Sequence, residues 1–370
     1  MVRITRFTIV RRELALVKPV FTARGVTTTR EVILIGIHTE SGAVGIGEAA
    51  PLPDHGTETF EAAWSAAKRI AALENMPPIP HRTRDLCQWF AAADLHHTGY
   101  PALYFGIQSA LIALLSMAHD VNVVDFFPGP PRPAIAVNAL ITGSNPDELY
   151  TSASNAFDEG FRVLKLKVGY RALDEDIEIV RRLGRAFPNT KFRLDANGAW
   201  SINDAERFCA AIDADHVEYV EDPLHLIDAP SLHRLRQTTS ISIALDETAQ
   251  QVPVIVPLIR ERLFDVLILK PTVLGAYDLT IDLAGEALRN KLDVVVTSSL
   301  ESGIGLTYLS SLAATIGSRK RAHGLSTGLL LAEDTLTEPL HPTQGELPVP
   351  SVRSLPLMLT ADLQKELITA

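Results

Sequence analysis

The sequence is poor in cysteine and has fewer basic than acidic residues. Its 370 residues include two cysteines, Cys87 and Cys209, which lie far apart and in no metal-binding spacing. No disulfide framework is therefore expected, and a reducing, cytoplasmic location is predicted. Thirty-four Lys and Arg against 44 Asp and Glu leave a formal net charge of −10. This balance argues against nucleic acids and anionic membrane surfaces as partners, because both attract clustered basic side chains.

The sequence also lacks a long, uninterrupted apolar run. Residues 1–10 alternate charged and apolar side chains, unlike the apolar core of a signal peptide. The most apolar segment, residues 102–118, contains Gln108, Ser109 and Ser116 and is shorter than a bilayer-spanning helix, so it predicts a buried helix. With 46% apolar and 21% charged residues, the composition is typical of a globular protein with a large core.

The remaining patterns divide the chain into two parts. In the first, residues 2–10, 32–38 and 42–48 predict a three-stranded antiparallel sheet, followed by helices at 58–72 and 105–118. From about residue 133, short apolar runs alternate with helical segments, which is typical of βα units around a parallel sheet. The predicted strands are 134–141, 163–168, 191–195, 217–220, 241–245, 266–269, 294–297 and 323–327.

Polar side chains end or follow most of these strands, and their spacing favours a closed barrel. They are Lys167, Asp195, Glu221, Asp246, Lys270 and Ser298, at intervals of 24 to 28 residues. In a (β/α)8 barrel all strand ends meet at one mouth, where active sites are built, whereas an open sheet spreads them along an edge. No glycine-rich dinucleotide fingerprint follows a strand, which further disfavours an open, dinucleotide-binding sheet.

Three of these residues are acids on consecutive strands. Asp195, Glu221 and Asp246 would repel one another at the rim of the barrel unless a cation lay among them. Oxygen ligands alone favour a hard ion, so Mg²⁺ is predicted, with Mn²⁺ as an alternative. The competing interpretation is that each acid caps the helix that follows it. Asp222 and Glu247 are assigned to capping or to support of the ligands.

Lysines flank the acids on both sides. Lys165 and Lys167 are two residues apart on one strand and therefore share a face, while Lys270 follows the strand on the opposite side of the predicted barrel. The closeness of the first two predicts a lowered pKa for at least one, which suits a general base. A solvated pair on an edge strand is the alternative.

A metal between lysines favours removal of a proton α to a carboxylate, with racemisation, epimerisation, cycloisomerisation and β-elimination all open.

These motifs resemble those of a known family. Lys165-Leu166-Lys167, Asp195-Ala196-Asn197, Glu221-Asp222-Pro223, Asp246-Glu247 and Lys270-Pro271-Thr272 are similar to motifs of the enolase superfamily, in its muconate-lactonising subgroup. The resemblance covers nearly the whole chain. It implies an α/β fold, a modified (β/α)8 barrel of the (β/α)7β type with an N-terminal α+β capping domain. The cap would comprise residues 1–130 and the barrel residues 131–334, and a tail of residues 335–370 would pack back on the cap.

The resemblance also implies roles for individual residues. The residues concerned are Asp195, Glu221 and Asp246 as ligands of Mg²⁺, and Lys165, Lys167 and Lys270 as the catalytic lysines. Among the lysines, Lys167 would act as acid and base, Lys165 would tune it, and Lys270 would act from the opposite face.

Within the subgroup, residues 47–53 with 58–61, 105–107 and 298–302 resemble the o-succinylbenzoate synthase family. This implies a hydro-lyase of menaquinone biosynthesis, which dehydrates a small dicarboxylate, 2-succinyl-6-hydroxy-2,4-cyclohexadiene-1-carboxylate, to 2-succinylbenzoate. N-succinylamino-acid racemase and dipeptide epimerase stay open on the same scaffold. Leu306, however, stands where racemases carry an arginine, and residues 323–327 lack the Asp-x-Asp of the epimerases. A non-catalytic binding barrel is a further alternative, and the oligomeric state is open.

Several residues are candidates for contact with the substrate. They are Asn197, Ser298, Ser299, Glu301, Gly303 and Arg24. Where the seventh barrel strand runs into a helix, the N–H groups of Ser298, Ser299 and Gly303 are expected to hold a substrate carboxylate, although helix capping by serine is the alternative. Arg24 lies in residues 20–29, which resemble the loop that closes over the substrate in this family; an ordinary hairpin loop is the alternative. Arg193 is either an interior ion-pair partner or a site residue.

Overall fold

The computed structural model describes residues 2–22, 25–73, 76–79, 82–121, 123–127 and 129–369. Its N-terminal part is a three-stranded antiparallel sheet, as predicted, with β1 (Ile4–Thr22), β2 (Gly25–Thr39) and β3 (Val44–Ala49) in that order. β1 and β2 are longer than the alternation of apolar residues indicated. Segments rich in valine and threonine near the turn favour extended backbone even where the pattern is polar.

A paired hairpin occupies most of residues 20–29, where the sequence predicted a loop. Val20 pairs with Thr27, and Thr22 pairs with Gly25. Arg24, the candidate substrate contact, lies outside the described residues. The role of this segment in closing over a substrate therefore stays a prediction.

A parallel sheet of seven strands follows, in which neighbouring strands are consecutive along the chain. The strands of the second part are β4 (Ala134–Ala136), β5 (Ala139–Ile141), β6 (Val163–Lys167), β7 (Lys191–Asp195), β8 (Val217–Glu221), β9 (Ile243–Leu245), β10 (Val266–Leu269), β11 (Asp293–Val296) and β12 (Glu346–Pro348). Strands β5 to β11 form the parallel sheet, whereas β4 pairs antiparallel with β12. The single strand predicted at 134–141 is thus divided in two.

Short bridges close this sheet into a barrel. Val137, between β4 and β5, pairs in parallel with His323, and Thr297, after β11, pairs in parallel with Gly324. The eighth strand predicted at 323–327 is therefore reduced to two residues that link the first and seventh strands. The architecture is the predicted barrel of the (β/α)7β type with an N-terminal α+β unit.

Helices alternate with the barrel strands and complete the N-terminal unit. The helices are α1 (Phe60–Ala71), α2 (Leu86–Ala92), α3 (Pro101–His119), α4 (Pro146–Asp158), α5 (Leu173–Ala186), α6 (Ile202–Ala211), α7 (Ala229–Thr238), α8 (Val252–Arg260), α9 (Pro271–Leu274), α10 (Tyr277–Arg289), α11 (Gly303–Ile316), α12 (Leu355–Met358) and α13 (Ala361–Gln364). On β6, Leu164 and Leu166 are buried. Since side chains alternate along a strand, Lys165 and Lys167 share the inward face.

Within the described ranges, α3 is the one helix long and apolar enough to cross a membrane, judged by length and composition. It has 19 residues, more than the segment predicted from the sequence, so the argument from its length was wrong. Its burial instead identifies it as a core helix, because 89% of its most apolar 18-residue segment is buried inside the structure. The prediction of a buried core helix is confirmed.

Glycines let α3 lie directly on β3. A Cβ atom added to Gly47 would lie 2.1 Å from the carbonyl oxygen of Gly106. One added to Gly106 would lie 2.6 Å from the carbonyl oxygen of Glu48. Both distances are too short for a side chain, so the two backbones are in contact and only glycine fits between them.

Gly106→Ala is expected to lower the free energy of unfolding by about 3 kcal/mol, because the added methyl group pushes α3 away from β3. Gly285→Ala in α10 is the control, since its methyl group meets the flexible tip of Arg289 at 3.2 Å. Replacing that helical glycine is expected to raise stability by roughly 0.5–1 kcal/mol. Urea unfolding measures both changes, and equal stability of Gly106→Ala and the wild type would contradict the backbone contact.

The C-terminal segment returns to the N-terminal sheet. Arg12 on β1 donates to Asp362 at 3.0 Å and to Glu366 at 2.7 Å. A Cβ atom added to Gly36 on β2 would lie 2.8 Å from the carbonyl oxygen of Leu367. These contacts place the tail against the sheet, while the domain boundaries at residues 130 and 334 stay predictions.

Candidate active site

The carboxyl ends of the barrel strands bring the predicted metal and lysine residues together. In the parallel register, Lys167 lies beside Asp195, and Asp195 lies beside Glu221. Asp246 and Lys270 directly follow β9 and β10. Because parallel strands end on the same side of a barrel, these side chains gather at one mouth.

The three acids are buried, and Lys165 binds two of them. Asp195, Glu221 and Asp246 are 3%, 1% and 4% exposed. Nζ of Lys165 lies 2.9 Å from Oδ2 of Asp195 and 2.8 Å from Oε1 of Glu221. The other oxygen of Glu221, Oε2, is buried and has no hydrogen-bond partner in the described ranges. An unpaired buried carboxylate oxygen is costly unless a cation binds it, so this donor set fits a divalent ion.

The charged side chains in this pocket strongly shift one another's pKa values. Burial opposes the charge of Lys165, yet Asp195 and Glu221 raise its pKa well above the ordinary value. Burial and then the charge of Asp195 raise the pKa of Glu221. Burial acts upward on Asp195 as well, but Lys165 outweighs it and lowers that pKa. The expectation of a lowered lysine pKa is therefore wrong for Lys165, because carboxylates dominate its surroundings.

The other two lysines differ in how they are held. Lys270 donates a hydrogen bond to Oδ2 of Asp246, and this carboxylate overcomes the effect of burial and raises the pKa of Lys270. Lys167 is exposed, and its Nζ makes no hydrogen bond or ion pair with any residue that the structure describes. A carboxylate partner holds a lysine in its protonated form, which has no free electron pair with which to take a further proton. Among the described residues, Lys167 is thus the lysine of the three whose Nζ is not held by a carboxylate, and its role as acid and base stays a prediction.

A second acidic cluster shares Asp246 with the three predicted metal ligands. Carboxylate oxygens of Asp222, Asp246 and Glu247 lie within 4.8 Å of one another. Asp222 accepts the N–H of Asp246 at 3.2 Å and the N–H of Glu247 at 3.0 Å, which is a capping role. Nδ2 of Asn197 donates to Oε1 of Glu247 at 3.2 Å. Asn197 thus joins two strand ends at the rim, and its contact with a substrate stays a prediction.

The turn after β11 carries the two predicted serines. Oγ of Ser298 shares a 2.5 Å hydrogen bond with Oγ1 of Thr327, while Oγ of Ser299 is buried and unpaired within the described part of the chain. Glu301 uses both carboxylate oxygens inside the protein. They accept the hydroxyl of Thr272 at 2.5 Å and the N–H of Ser299 at 2.6 Å. Glu301 is therefore placed to support the turn rather than to touch a substrate.

Carboxylates of the protein itself fill the N-terminus of α11. The N–H of Gly303 donates to Oδ1 of Asp334 at 2.9 Å. The N–H groups of Ser302 and Gly305 each donate to Glu48 at 2.8 Å. The expectation that the N–H groups of Ser298, Ser299 and Gly303 hold a substrate carboxylate is wrong, because all three already donate inside the protein. Their acceptors are the carbonyl oxygen of Gly324 at 3.0 Å, Glu301 at 2.6 Å and Asp334 at 2.9 Å. A helix N-terminus does attract acidic side chains, but here they are Glu48 of β3 and Asp334.

Two residues of the N-terminal unit that the sequence analysis did not single out as site residues also reach this region. Glu48 ends up beside Ser302 although 254 positions separate them in the chain. His55 is buried near the lysines. Burial and then the positive charge of Lys270 lower the pKa of its imidazole to about 4. Its ring is therefore neutral at neutral pH.

Arg193, which the sequence left open, is an interior ion-pair partner. It is 1% exposed, and its Nε donates to Oε2 of Glu218 at 2.6 Å. Its Nη1 donates to Asn138 at 3.0 Å, and its guanidinium lies over the ring of Tyr219. These partners satisfy the charge within the barrel.

Glu48 gives the folded state a dependence on pH that can be measured. Burial raises its pKa from 4.5 to about 7, although Ser302 and Gly305 donate to it. Between those pH values the folded chain keeps a proton that the unfolded chain has lost. Stability therefore falls as the pH rises from about 4.5 to 7. Glu48→Gln, which cannot ionise, is expected to show a flatter decline.

Thermal unfolding between pH 4.5 and 7.5, with Mg²⁺ at saturation, measures this difference. Glu40→Gln is the control, because the side chain of Glu40 is 57% exposed and pairs with the exposed Arg3. Identical slopes for the wild type and Glu48→Gln would contradict the buried, protonated carboxyl group.

Known proteins with similar sequences point to one family. A sequence model described as enolase C-terminal domain-like matches residues 148–353. The o-succinylbenzoate synthase of Pasteurella multocida (strain Pm70) is 30% identical over 292 residues, which are 77% of this chain and 78% of that protein. The o-succinylbenzoate synthase of Thermobifida fusca (strain YX) is 33% identical over 226 residues, 60% of this chain and 69% of that protein.

Solved structures share the fold over nearly the whole chain. A muconate lactonizing enzyme from Pseudomonas fluorescens, complexed with muconolactone, has a TM-score of 0.86 and 22% identity, and covers 99% of each chain. A dipeptide epimerase from Enterococcus faecalis V583, complexed with Mg and the dipeptide L-Leu-L-Tyr, has a TM-score of 0.83 and 21% identity over 95% of this chain and 99% of that one. The fold and the strand-end site thus define a (β/α)7β-barrel enzyme with an N-terminal α+β unit. The chain belongs to the enolase superfamily, as its motifs indicated.

Proposed function

We propose that this protein is an o-succinylbenzoate synthase, a hydro-lyase that converts 2-succinyl-6-hydroxy-2,4-cyclohexadiene-1-carboxylate to 2-succinylbenzoate in menaquinone biosynthesis. The observation that carries the proposal is the pair of lysines on either side of three buried carboxylates, with Lys167 free and Lys270 bound to Asp246. Similarity to proteins named o-succinylbenzoate synthase supports the choice of reaction. A cytoplasmic location belongs to the same proposal.

Lys167 would carry both proton transfers. Its Nζ takes the proton from the ring carbon that bears the carboxylate. The electron pair of that C–H bond first spreads from this carbon onto its carboxylate group and the ring, and it then forms the ring double bond as the C–O bond on the neighbouring carbon breaks. The same Nζ returns the proton to the departing hydroxyl, which leaves as water, and the ring becomes aromatic. The lysine is regenerated, and no further reactant is needed.

Lys270 would act from the opposite wall of the barrel. Three strands, β7 to β9, separate β6 from β10, so Lys167 and Lys270 face the same space from two sides. A cation fixed there stabilises the negative charge that spreads over the ring after the proton leaves, partly by lying over its π system. Lys165 binds Asp195 and Glu221 and so keeps two of the acids in place.

Asp195, Glu221 and Asp246 would hold Mg²⁺, with Mn²⁺ as the alternative. The bound ion supplies Lewis-acid stabilisation of negative charge on the carboxylate oxygens of the substrate. Support comes from the unpaired Oε2 of Glu221 and from the Mg-containing dipeptide epimerase of the same fold. Three lysines balance the three carboxylates, so a divalent cation leaves the mouth positive. A positive pocket suits a small dicarboxylate even in an acidic protein.

A substrate panel separates dehydration from the racemase and epimerase alternatives. Purified protein with Mg²⁺ is offered the cyclohexadiene carboxylate, N-succinyl amino acids and dipeptides, and NMR in D₂O follows dehydration and α-proton exchange. We expect kcat/KM to be highest for dehydration. Racemisation or epimerisation without dehydration would overturn the proposal in favour of an alternative on this scaffold.

A further inference from the structure

One buried guanidinium connects two loops that belong to different parts of the fold. Arg30 lies on β2 and is 4% exposed. Its Nη2 and Nη1 donate to the carbonyl oxygens of Ala50 and Pro51, each at 2.5 Å. Its Nε donates to the carbonyl oxygen of Leu300 at 3.1 Å, and Nη2 donates to that of Ser299 at 3.3 Å. Arg30 thus ties the loop after β3 to the turn after β11.

The turn that Arg30 binds has an unfavourable backbone conformation. Leu300 has φ +63°, a left-handed conformation that residues with a Cβ atom disfavour. Glu301 supports the same turn from the barrel, since its two oxygens accept the N–H of Ser299 and the hydroxyl of Thr272. Thr272 is two residues beyond Lys270. The turn is therefore held from the N-terminal unit on one side and from the segment that follows Lys270 on the other.

Resting on the proposed function, we propose that Arg30 and Glu301 are positioning residues that set the place of Ser298 and Ser299 at the barrel mouth. The buried, unpaired Oγ of Ser299 is the group whose position they determine. Neither residue exchanges protons with the substrate. They act through the turn, and they make the binding of the substrate's second carboxylate depend on the N-terminal unit.

The geometry explains why arginine and not lysine stands at position 30. A planar guanidinium presents five N–H donors in a fixed arrangement, and here it reaches five carbonyl oxygens, four of them in the two loops and one in the neighbouring Glu31. A lysine has three donors on one nitrogen and cannot reach both loops in the same way. Arg30→Lys keeps a basic side chain but removes the hydrogen bonds that join the two loops. It therefore tests the positioning of the turn rather than the effect of the charge.

Arg132 provides a matched control at the other end of α11. It also donates to backbone carbonyl oxygens across the fold, with Nε 3.1 Å from that of Ala314 and Nη1 3.2 Å from that of Ser318. Both belong to the C-terminal end of the helix and the residues after it, remote from the strand ends that carry the acids. Arg132→Lys therefore removes an equivalent set of bonds without touching the Ser298–Leu300 turn.

The experiment compares Arg30→Lys, Glu301→Gln and Arg132→Lys in the full-length protein with Mg²⁺. We expect the first two variants to raise KM about tenfold, the equivalent of one or two lost hydrogen bonds, with kcat within about threefold. Their Mg²⁺ affinity, measured by calorimetry, should match the wild type. Hydrogen–deuterium exchange of residues 297–303 should be at least about tenfold faster in them, and unchanged in Arg132→Lys.

Two results would overturn the inference. Unchanged KM and unchanged exchange in Arg30→Lys and Glu301→Gln would overturn the inference, as would an equal KM increase in Arg132→Lys. If Arg30→Lys does not fold, Glu301→Gln decides by the same criteria, because it leaves the N-terminal unit intact. If the wild-type protein does not dehydrate the substrate, the proposed function fails. The exchange measurement, which needs no substrate, then still tests the positioning of the turn.

Discussion

Lys167→Ala is expected to lower kcat for dehydration by about a thousandfold or more, because it removes the group that takes and returns the proton. Among the three lysines at the mouth, Lys165 is bound to two carboxylates and Lys270 to one. Neither is free to replace it. Mg²⁺ affinity and the far-UV circular dichroism spectrum should be unchanged, since Nζ of Lys167 makes no hydrogen bond or ion pair with the described residues.

Lys191→Ala is the control for this prediction. Lys191 begins β7, at the end of the barrel opposite Asp195, and donates to the carbonyl oxygen of Asp215. Its loss should leave kcat within about twofold of the wild type, as for a surface contact remote from the chemistry. Retention of more than about a tenth of the activity by Lys167→Ala would show that another group is the base.

Glu221→Gln is expected to weaken Mg²⁺ binding by about a hundredfold or more and to abolish dehydration with it. The substitution keeps the shape of a side chain that is 1% exposed and removes one of the three charges that would bind the ion. Isothermal calorimetry measures the affinity directly, and activity is followed over a range of Mg²⁺ concentrations. High Mg²⁺ should restore activity only in part.

Glu218→Gln is a control on the same strand. Glu218 lies three residues earlier on β8 and binds Nε of Arg193 at 2.6 Å. Its replacement should lower thermal stability, because a buried guanidinium loses its charged partner, and should leave Mg²⁺ affinity unchanged. Equal Mg²⁺ affinity of Glu221→Gln and the wild type would remove Glu221 from the ligand set and favour the interpretation that the acids only cap helices.

The barrel and its strand-end residues could be predicted because they depend on short-range patterns. Each βα unit repeats an apolar run and a helix of similar length, and the chemistry follows the run at a nearly constant interval. Asp195, Glu221 and Asp246 were found in this way without any knowledge of contacts between strands. Parallel strands then bring such residues together by geometry alone.

The surroundings of the site could not be predicted, since they depend on contacts between distant segments. Arg30 binds Leu300 across 270 positions, and Glu48 binds Ser302 across 254. Sequence reasoning correctly recognised an anion-binding helix N-terminus at Gly303 but could not show that Asp334 already fills it. The expectation of a lowered lysine pKa failed for Lys165, because it gave the neighbouring lysine more weight than the acids on the adjacent strands.

The account is tested most directly by incubating the purified protein with Mg²⁺ and 2-succinyl-6-hydroxy-2,4-cyclohexadiene-1-carboxylate and following the absorbance of the aromatic product. It predicts stoichiometric formation of 2-succinylbenzoate and water. The reaction should stop when a chelator is added, resume when Mg²⁺ is restored, and be absent in Lys167→Ala. No aromatic product from the wild-type protein at saturating Mg²⁺ and substrate would contradict it.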